Sequence, residues 1–179
     1  MNPDRELIER CLSQDPKAQE TLYRRFAPKM YGVCLRYARN TLEAEDILQE
    51  GFIKVFTYLK DYRFEGTLDG WVHRTIVNTA INYYRQQIRE WSEINIDRAD
   101  ISKASKENII DTLSLMDLLD IIQELPEGFR LVFNLYVIEG YNHQEIGQML
   151  NISESTSKSQ LSRARAALQL KIEQRNLNK

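Results

Sequence analysis

Residues 141–168 read YNHQEIGQML-NIS-ESTSKSQLSRARAAL, and their caps confine this part of the chain to two short helices joined by a tight turn. Asn142 with Glu145 forms an N-cap and capping-box pair, so the first helix starts there. Gly147 has no side chain, which lets the following helix pack close. Asn151 tolerates the left-handed conformation that a turn needs, and Ser153 caps the second helix. At about 100° per residue, Ser157, Leu161, Ala164 and Leu168 share one side of that helix and are predicted to face the domain. Ser155, Lys158, Ser159, Ser162 and Arg163 share the opposite side, with Thr156 at its edge. Hydroxyls, Lys and Arg without carboxylates suit phosphates and base edges in a major groove. Composition alone would favour an ordinary amphipathic helix with a solvated face. The turn and both caps favour a helix-turn-helix.

The chain has 179 residues, enough for one medium domain or two small ones. With 24 basic and 26 acidic residues its net charge is −2, so any nucleic-acid binding must come from local patches. Cys11 and Cys34 are too few and too far apart for a disulfide framework or a zinc site. Both lie at apolar positions and are expected to be buried thiols in a reducing cytosol. No signal-peptide pattern or membrane-length apolar run occurs, so the expectation is a soluble, cytoplasmic chain without membrane insertion.

Nearly every periodic segment has helical spacing, which predicts an all-α chain. Leu7, Ile8, Cys11 and Leu12 form a short first helix, and Asp15-Pro16 gives an N-cap followed by a first-position proline. Leu22, Phe26, Met30, Val33 and Tyr37 continue as a long helix that Pro28 is placed to kink. After Asn40, a third helix is lined by Ala44, Ile47, Leu48, Gly51, Phe52, Val55 and Leu59. A loop over Asp61 to Gly70 precedes a fourth helix running from about Leu68 to Ile88. The pattern then fails over a small, polar, modestly acidic stretch that reads as a linker. Helical spacing resumes through Met116, Leu119 and Ile122, and again after Pro126, with Gly140 as a stop signal. Two small helical domains are predicted, 1–90 and 111–179, joined by a flexible linker over 91–110.

Two outer faces in the first domain stand out. On the third helix, Asp46, Gln49 and Glu50 surround a large exposed Ile53, an acidic rim around an aliphatic residue that suits protein docking. On the fourth, Trp71, Arg74, Asn78, Asn82 and Arg85 fall in one stripe without a carboxylate. Amides and guanidinium groups beside an aromatic ring suit unstacked bases and their phosphates, and the FEGTLDG loop from Phe64 is placed to wall a base pocket. His73 and His143 are the only histidines, neither has ligand spacing, and no phosphate-cradling glycine loop occurs. No catalytic residue, metal or cofactor is therefore expected.

Three stretches together resemble a family: DILQEGFIKVF (46–56), FEGTLDGWVHRTIVNTAINYYR (64–85) and LPEGFRLVFNLYVIEGYNHQEIGQMLNISESTSKSQLSRARAAL (125–168). They resemble, in order and separation, the extracytoplasmic-function (group IV) sigma factors of the sigma-70 family. The resemblance implies a region 2-like domain followed by a region 4-like helix-turn-helix domain. It implies that Asp46, Gln49, Glu50 and Ile53 dock on the β′ clamp helices of core RNA polymerase. Phe64, Trp71, Arg74, Asn78, Asn82 and Arg85 would hold the −10 element of promoter DNA. Ser155, Thr156, Lys158, Ser159, Ser162 and Arg163 would read the −35 element, with the second domain also touching the β flap. The linker would run as an acidic strap toward the RNA exit path, and an anti-sigma factor is expected by analogy.

Two residues depart from the family's pattern. Ser157 stands where valine is usual, and is expected to forfeit an apolar contact with Ile152 on the order of 1 kcal/mol, leaving a looser or re-aimed helix. Gln160 replaces an arginine and is expected to remove a phosphate contact. The alternative reading, a helix-turn-helix regulator that binds DNA without polymerase, would leave both faces of the first domain unexplained.

Overall fold

The computed structural model describes residues 3–91 and 115–177. Every regular element among them is helical: α1 Pro3–Leu12, α2 Pro16–Tyr37, α3 Thr41–Tyr58, α4 Leu68–Trp91, α5 Leu115–Gln123, α6 Glu127–Phe133, α7 His143–Leu150 and α8 Glu154–Leu177. The expected linker, 91–110, lies outside the described residues save for Trp91, which closes α4. The chain divides into two compact units, Met1–Tyr83 and Tyr84–Lys179.

In the first unit the caps act where the sequence placed them. Asp15 accepts from the backbone N–H groups of Lys17 at 2.9 Å and Ala18 at 3.3 Å, and from Arg10 Nη2 at 2.7 Å. The Arg10 guanidinium and these amides hold its carboxyl below the usual carboxylate range. Asn40 caps α3 by accepting from Glu43 N at 2.9 Å. As expected, α2 continues as one long helix with Pro28 inside it. Leu22, Phe26, Met30 and Tyr37 of α2 are buried with Ala44, Ile47 and Val55 of α3 and Val72, Ile76 and Ala80 of α4. A Cβ added at Gly51 would overlap Ile76 Cδ1, so α3 meets the core side of α4 through a residue without a side chain. Cys11 and Cys34 are buried free thiols, and desolvation pushes Cys34 up to about 12.

The second unit is centred on Ile121, Ile122, Leu125, Ala164, Ala167 and Leu168, with Phe129, Phe133 and Ile172 packed against them. α6 passes into a π-helical turn, Asn134–Ile138, that stops at Gly140 with φ of 80°. Arg130, 1% exposed, donates through Nη1 to the carbonyls of Gln123 at 2.8 Å and Leu125 at 3.2 Å, satisfying the end of α5. Across the same unit, Glu124 accepts from Lys171 at 2.5 Å and from Arg175 at 3.2 Å, which ties α5 to the far end of α8.

The hydrogen bond from Lys171, with the nearby Arg175 charge, holds the Glu124 carboxyl below its ordinary range. A carboxyl depressed in the folded state stabilises above its unfolded value, and that contribution is lost as pH falls. The thermal midpoint of the second unit should therefore drop on acidification below about pH 4.5, the ordinary glutamate region. Glu124→Gln should lower the midpoint at neutral pH and flatten the acid slope, read by circular dichroism melts across pH. Parallel slopes for the two proteins would refute this role.

Candidate nucleic-acid interface

The helix-turn-helix is built from α7, a three-residue turn and α8. Asn142 Oδ1 accepts from Glu145 N at 2.9 Å while Glu145 Oε2 accepts from Asn142 N at 2.8 Å, a complete capping box. Asn151 takes the left-handed conformation, φ 56° and ψ 46°. A Cβ added at Gly147 would lie 2.8 Å from the Ile152 carbonyl oxygen, so the turn folds against bare backbone. Ser153 Oγ accepts from Thr156 N at 3.0 Å and opens α8.

α8 then separates its two sides as its spacing dictates. Ser157, Leu161, Ala164 and Leu168 are buried. Ser155, Lys158, Ser159, Ser162 and Arg163 are exposed, with Thr156 half-buried at the edge. One expectation needs correction, because this face does hold a carboxylate. Glu154 pairs with Lys158 Nζ at 2.6 Å, and that hydrogen bond holds its carboxyl below the ordinary range. An incoming phosphate must therefore take Lys158 from Glu154. The intrahelical pair is exposed and of small worth, so the exchange is cheap.

Both departures from the family pattern also read differently in three dimensions. Ser157 does not leave a slack contact: it is fully buried and its Oγ lies 2.9 Å from His143 Nδ1 on α7. His143 stacks on Tyr136, centroids 4.4 Å apart and planes inclined by 21°, and the Arg165 guanidinium lies 5.9 Å over Tyr136. A polar bond and an aromatic stack thus join α7, α8 and the π-helical turn at the position where the family's valine would form an apolar staple. The sequence placed His143 in the first turn of its helix but gave no sign of its partner. Gln160 is half-buried, its amide 3.1 Å from where a Cβ on Gly128 of α6 would sit. Its amide therefore lies on the α6 side of α8.

On α4, Arg74, Asn78 and Asn82 are exposed, and Trp71 and Arg85 are half-buried. Lys29 of α2 fixes the start of this helix through Asp69 at 2.7 Å. In the preceding loop Thr67 Oγ1 accepts from Gly70 N at 3.1 Å, which places Gly70 inside the helix rather than in the expected loop. Tyr62 was missed by the sequence reading, although it stands two residues before Phe64. It is buried, donates its hydroxyl to Gly66 O at 3.0 Å, and sets its ring 4.9 Å from Phe64 and 5.6 Å from Trp71. The loop is therefore an aromatic cluster with an edge open to solvent.

The outer face of α3 exposes Asp46, Gln49, Glu50 and Ile53, the last at 61%. Its rim is not purely acidic, since Lys54 pairs with Glu50. Beside it lies an open groove of about 490 Å³ lined by Tyr23, Glu45, Gln49, Phe52, Ile53 and Phe56, with the Tyr23 and Phe52 rings 4.6 Å apart. Tyr23 comes from α2, a contribution that the periodicity of α3 could not reveal. Among the described residues no group of three or more His, Cys, Asp or Glu side chains is placed to hold a metal ion, and no helix is long and apolar enough to cross a membrane.

If the Ser157–His143 bond sets the α7–α8 packing, Ser157→Ala should cost about 1 kcal/mol in urea unfolding of the full chain. A double-mutant cycle with His143→Ala should return a coupling of about 0.5–1.5 kcal/mol. Ser157→Val should also destabilise, because it removes the hydroxyl from His143. A valine variant more stable than the wild type would restore the expectation of an unfilled apolar contact.

Comparison with known proteins agrees across both units. Residues 22–90 match the family model for sigma-70 region 2, and residues 115–168 match the one for sigma-70 region 4. The ECF RNA polymerase sigma-E factor of Haemophilus influenzae is 29% identical over 183 residues, covering 95% of each chain. The RNA polymerase sigma-H factor of Pseudomonas aeruginosa is 26% identical over 92% of this chain and 91% of that one. The ECF sigma factor SigE of Mycolicibacterium smegmatis is 33% identical over 83% of this chain and 59% of its own. The fold is also similar to a sigma factor from Bartonella quintana solved with the anti-sigma factor NepR, at a TM-score of 0.52 and 20% identity over 86% of this chain and 96% of that one. Matches in both units leave no support for a regulator that works apart from polymerase. The chain belongs to the sigma-70 family as a sigma factor of the extracytoplasmic-function subfamily, which binds RNA polymerase and directs transcription initiation at specific promoters.

Proposed function

We propose that this sigma factor divides its work among three exposed faces. Asp46, Gln49, Glu50 and Ile53 on α3 dock on the β′ clamp helices of core polymerase. Phe64, Trp71, Arg74, Asn78, Asn82 and Arg85 hold the −10 element once its strands part. Ser155, Thr156, Lys158, Ser159, Ser162 and Arg163 on α8 meet the −35 element as duplex, and the same domain touches the β flap. Residues 1–90 and 111–179 serve as the two functional domains and 91–110 as the connection. The chain acts in the cytoplasm and leaves the chemistry to the polymerase. The Bartonella relative was solved with an anti-sigma factor, and an inhibitor of that kind would work here by covering the same faces.

The observation that carries this reading is the separation of sides on α8. A helix whose apolar side is fully clamped and whose opposite side offers hydroxyls and cations to solvent has the form of a major-groove reader. On α4 the same separation leaves amides and guanidinium groups outward beside aromatic rings, which suits a single strand. The decisive experiment is run-off transcription with bacterial core polymerase and genomic promoter fragments, with and without this chain. New transcripts from fixed start points are expected. Tight DNA binding by the chain alone, without association to core, would overturn the reading.

Two variants test the faces separately. Asp46→Lys with Glu50→Lys should abolish capture of core polymerase in a pull-down while the circular dichroism spectrum stays unchanged. Retained capture would remove α3 from the docking surface. Arg163→Ala should weaken −35 duplex binding by the holoenzyme by about 1–3 kcal/mol at one base position if it reads a base, and uniformly if it holds a phosphate. No loss on any sequence would mean that another face of α8 meets DNA.

A further inference from the structure

The match to sigma-70 region 2 begins at residue 22, so α1 lies outside it. Yet α1 delivers a cation to the loop that precedes α4. The Arg5 guanidinium carbon stands 5.4 Å from the centroid of the Phe64 ring. Phe64 is held in an unusual state, with φ of 60°, a left-handed conformation that a bulky side chain enters only at a cost. The strain does not serve burial, because Phe64 remains 41% exposed. Its ring is flanked by Tyr62, 4.9 Å away, and by Arg5. The loop thus carries a costly backbone at a residue whose aromatic ring stays open to solvent.

Arg5 itself is little committed elsewhere in its environment. Its side chain is 64% exposed, and its contact with Glu9 on α1 is a surface pair at 3.6 Å. Such pairs give way readily to a better anion. A guanidinium drawn to a ring by cation–π attraction has five N–H donors, and a phosphate can use those the ring leaves free. An unstacked nucleotide brings both a π-face and a neighbouring phosphate, and a ring with a cation above it complements both.

We propose that Arg5 is a further promoter-strand residue of this sigma factor. It steadies Phe64 in its exposed conformation and takes the phosphate adjoining the base that Phe64 receives. The inference rests on the assignment of the Phe64 loop to the opened −10 strand. It adds to that assignment a helix that the region 2 match does not include.

The test uses holoenzyme reconstituted from core polymerase with the wild-type chain, Arg5→Ala, Arg5→Lys or Phe64→Ala. The probe is a fluorescent single-stranded oligonucleotide carrying the non-template −10 segment of a promoter recovered by run-off transcription, titrated across NaCl concentrations. Arg5→Ala should weaken binding several-fold and reduce the log–log salt slope by about 0.7, the value for one phosphate contact on a single strand. Arg5→Lys should restore the slope but only part of the affinity, since an ammonium does not stack as a guanidinium does. Binding of each holoenzyme to a −35 duplex should stay at the wild-type level. An unchanged affinity and slope for Arg5→Ala overturns the proposal, as does an equal loss on the −35 duplex. Phe64→Ala separates the two ideas. If it weakens strand binding while Arg5→Ala is silent, only the Arg5 inference falls; if both are silent, the loop assignment falls with it.

Discussion

The Gly147 position, where a Cβ would come within 2.8 Å of the Ile152 carbonyl, is the constraint from which the helix-turn-helix follows. Nothing flexible can move aside there, because the obstructing atom belongs to the backbone. With that approach open, Asn151 reverses the chain in a left-handed conformation and Ser153 starts α8 at a fixed place. The direction of α8 then decides which of its residues are clamped and which are offered. Ser157 completes the arrangement by meeting His143 across the crossing, so the two helices are held by a hydrogen bond as well as by apolar area. α3 and α4 follow the same principle, with Gly51 giving Ile76 its room.

Clamping one side of a helix completely is what makes the other side available. Long polar side chains stay outward only when the apolar side has a defined partner, since otherwise the helix rolls to bury what it can. α8 and α4 show this division most clearly, and their outward residues are those expected to meet duplex and single strand respectively. The exposed ion pairs Glu50–Lys54 and Glu154–Lys158 sit on the faces proposed to meet partners. They keep charged groups solvated and ordered at little energetic cost, and a partner can replace them.

Much of the fold was legible because its signals are local. Capping residues, a first-position proline, a left-handed asparagine and helical spacing each act within a few residues, and Asp15, Asn40, Asn142, Asn151 and Ser153 all behave as their chemistry dictates. The sides of α3, α4 and α8 follow from spacing alone for the same reason. What escaped the sequence reading depends on residues far apart in the chain. Tyr23 reaches the α3 groove from another helix, and the partner of Ser157 stands on α7. Tyr62 is closer, but its role as the hub between Phe64 and Trp71 requires the loop to close on itself. The family resemblance pointed to the usual valine at position 157, and so to a defect; only the facing imidazole turns that reading into a bond.

The sequence by itself determined the helices, most of their starts, and which side of each is polar, because those properties are set by torsional preference and by periodicity along one element; it did not give the ends of α4 at Trp91 and of α8 at Leu177. It also determined the family, through three stretches in register. Tertiary structure alone decided the inward course of Gln160, the His143–Ser157 bond and the Arg5–Phe64 cation–π contact. Each of these is a meeting of side chains from different elements, and its geometry depends on how backbones approach one another. Sequence spacing carries no measure of that approach, so these contacts between elements appear only once the helices are packed.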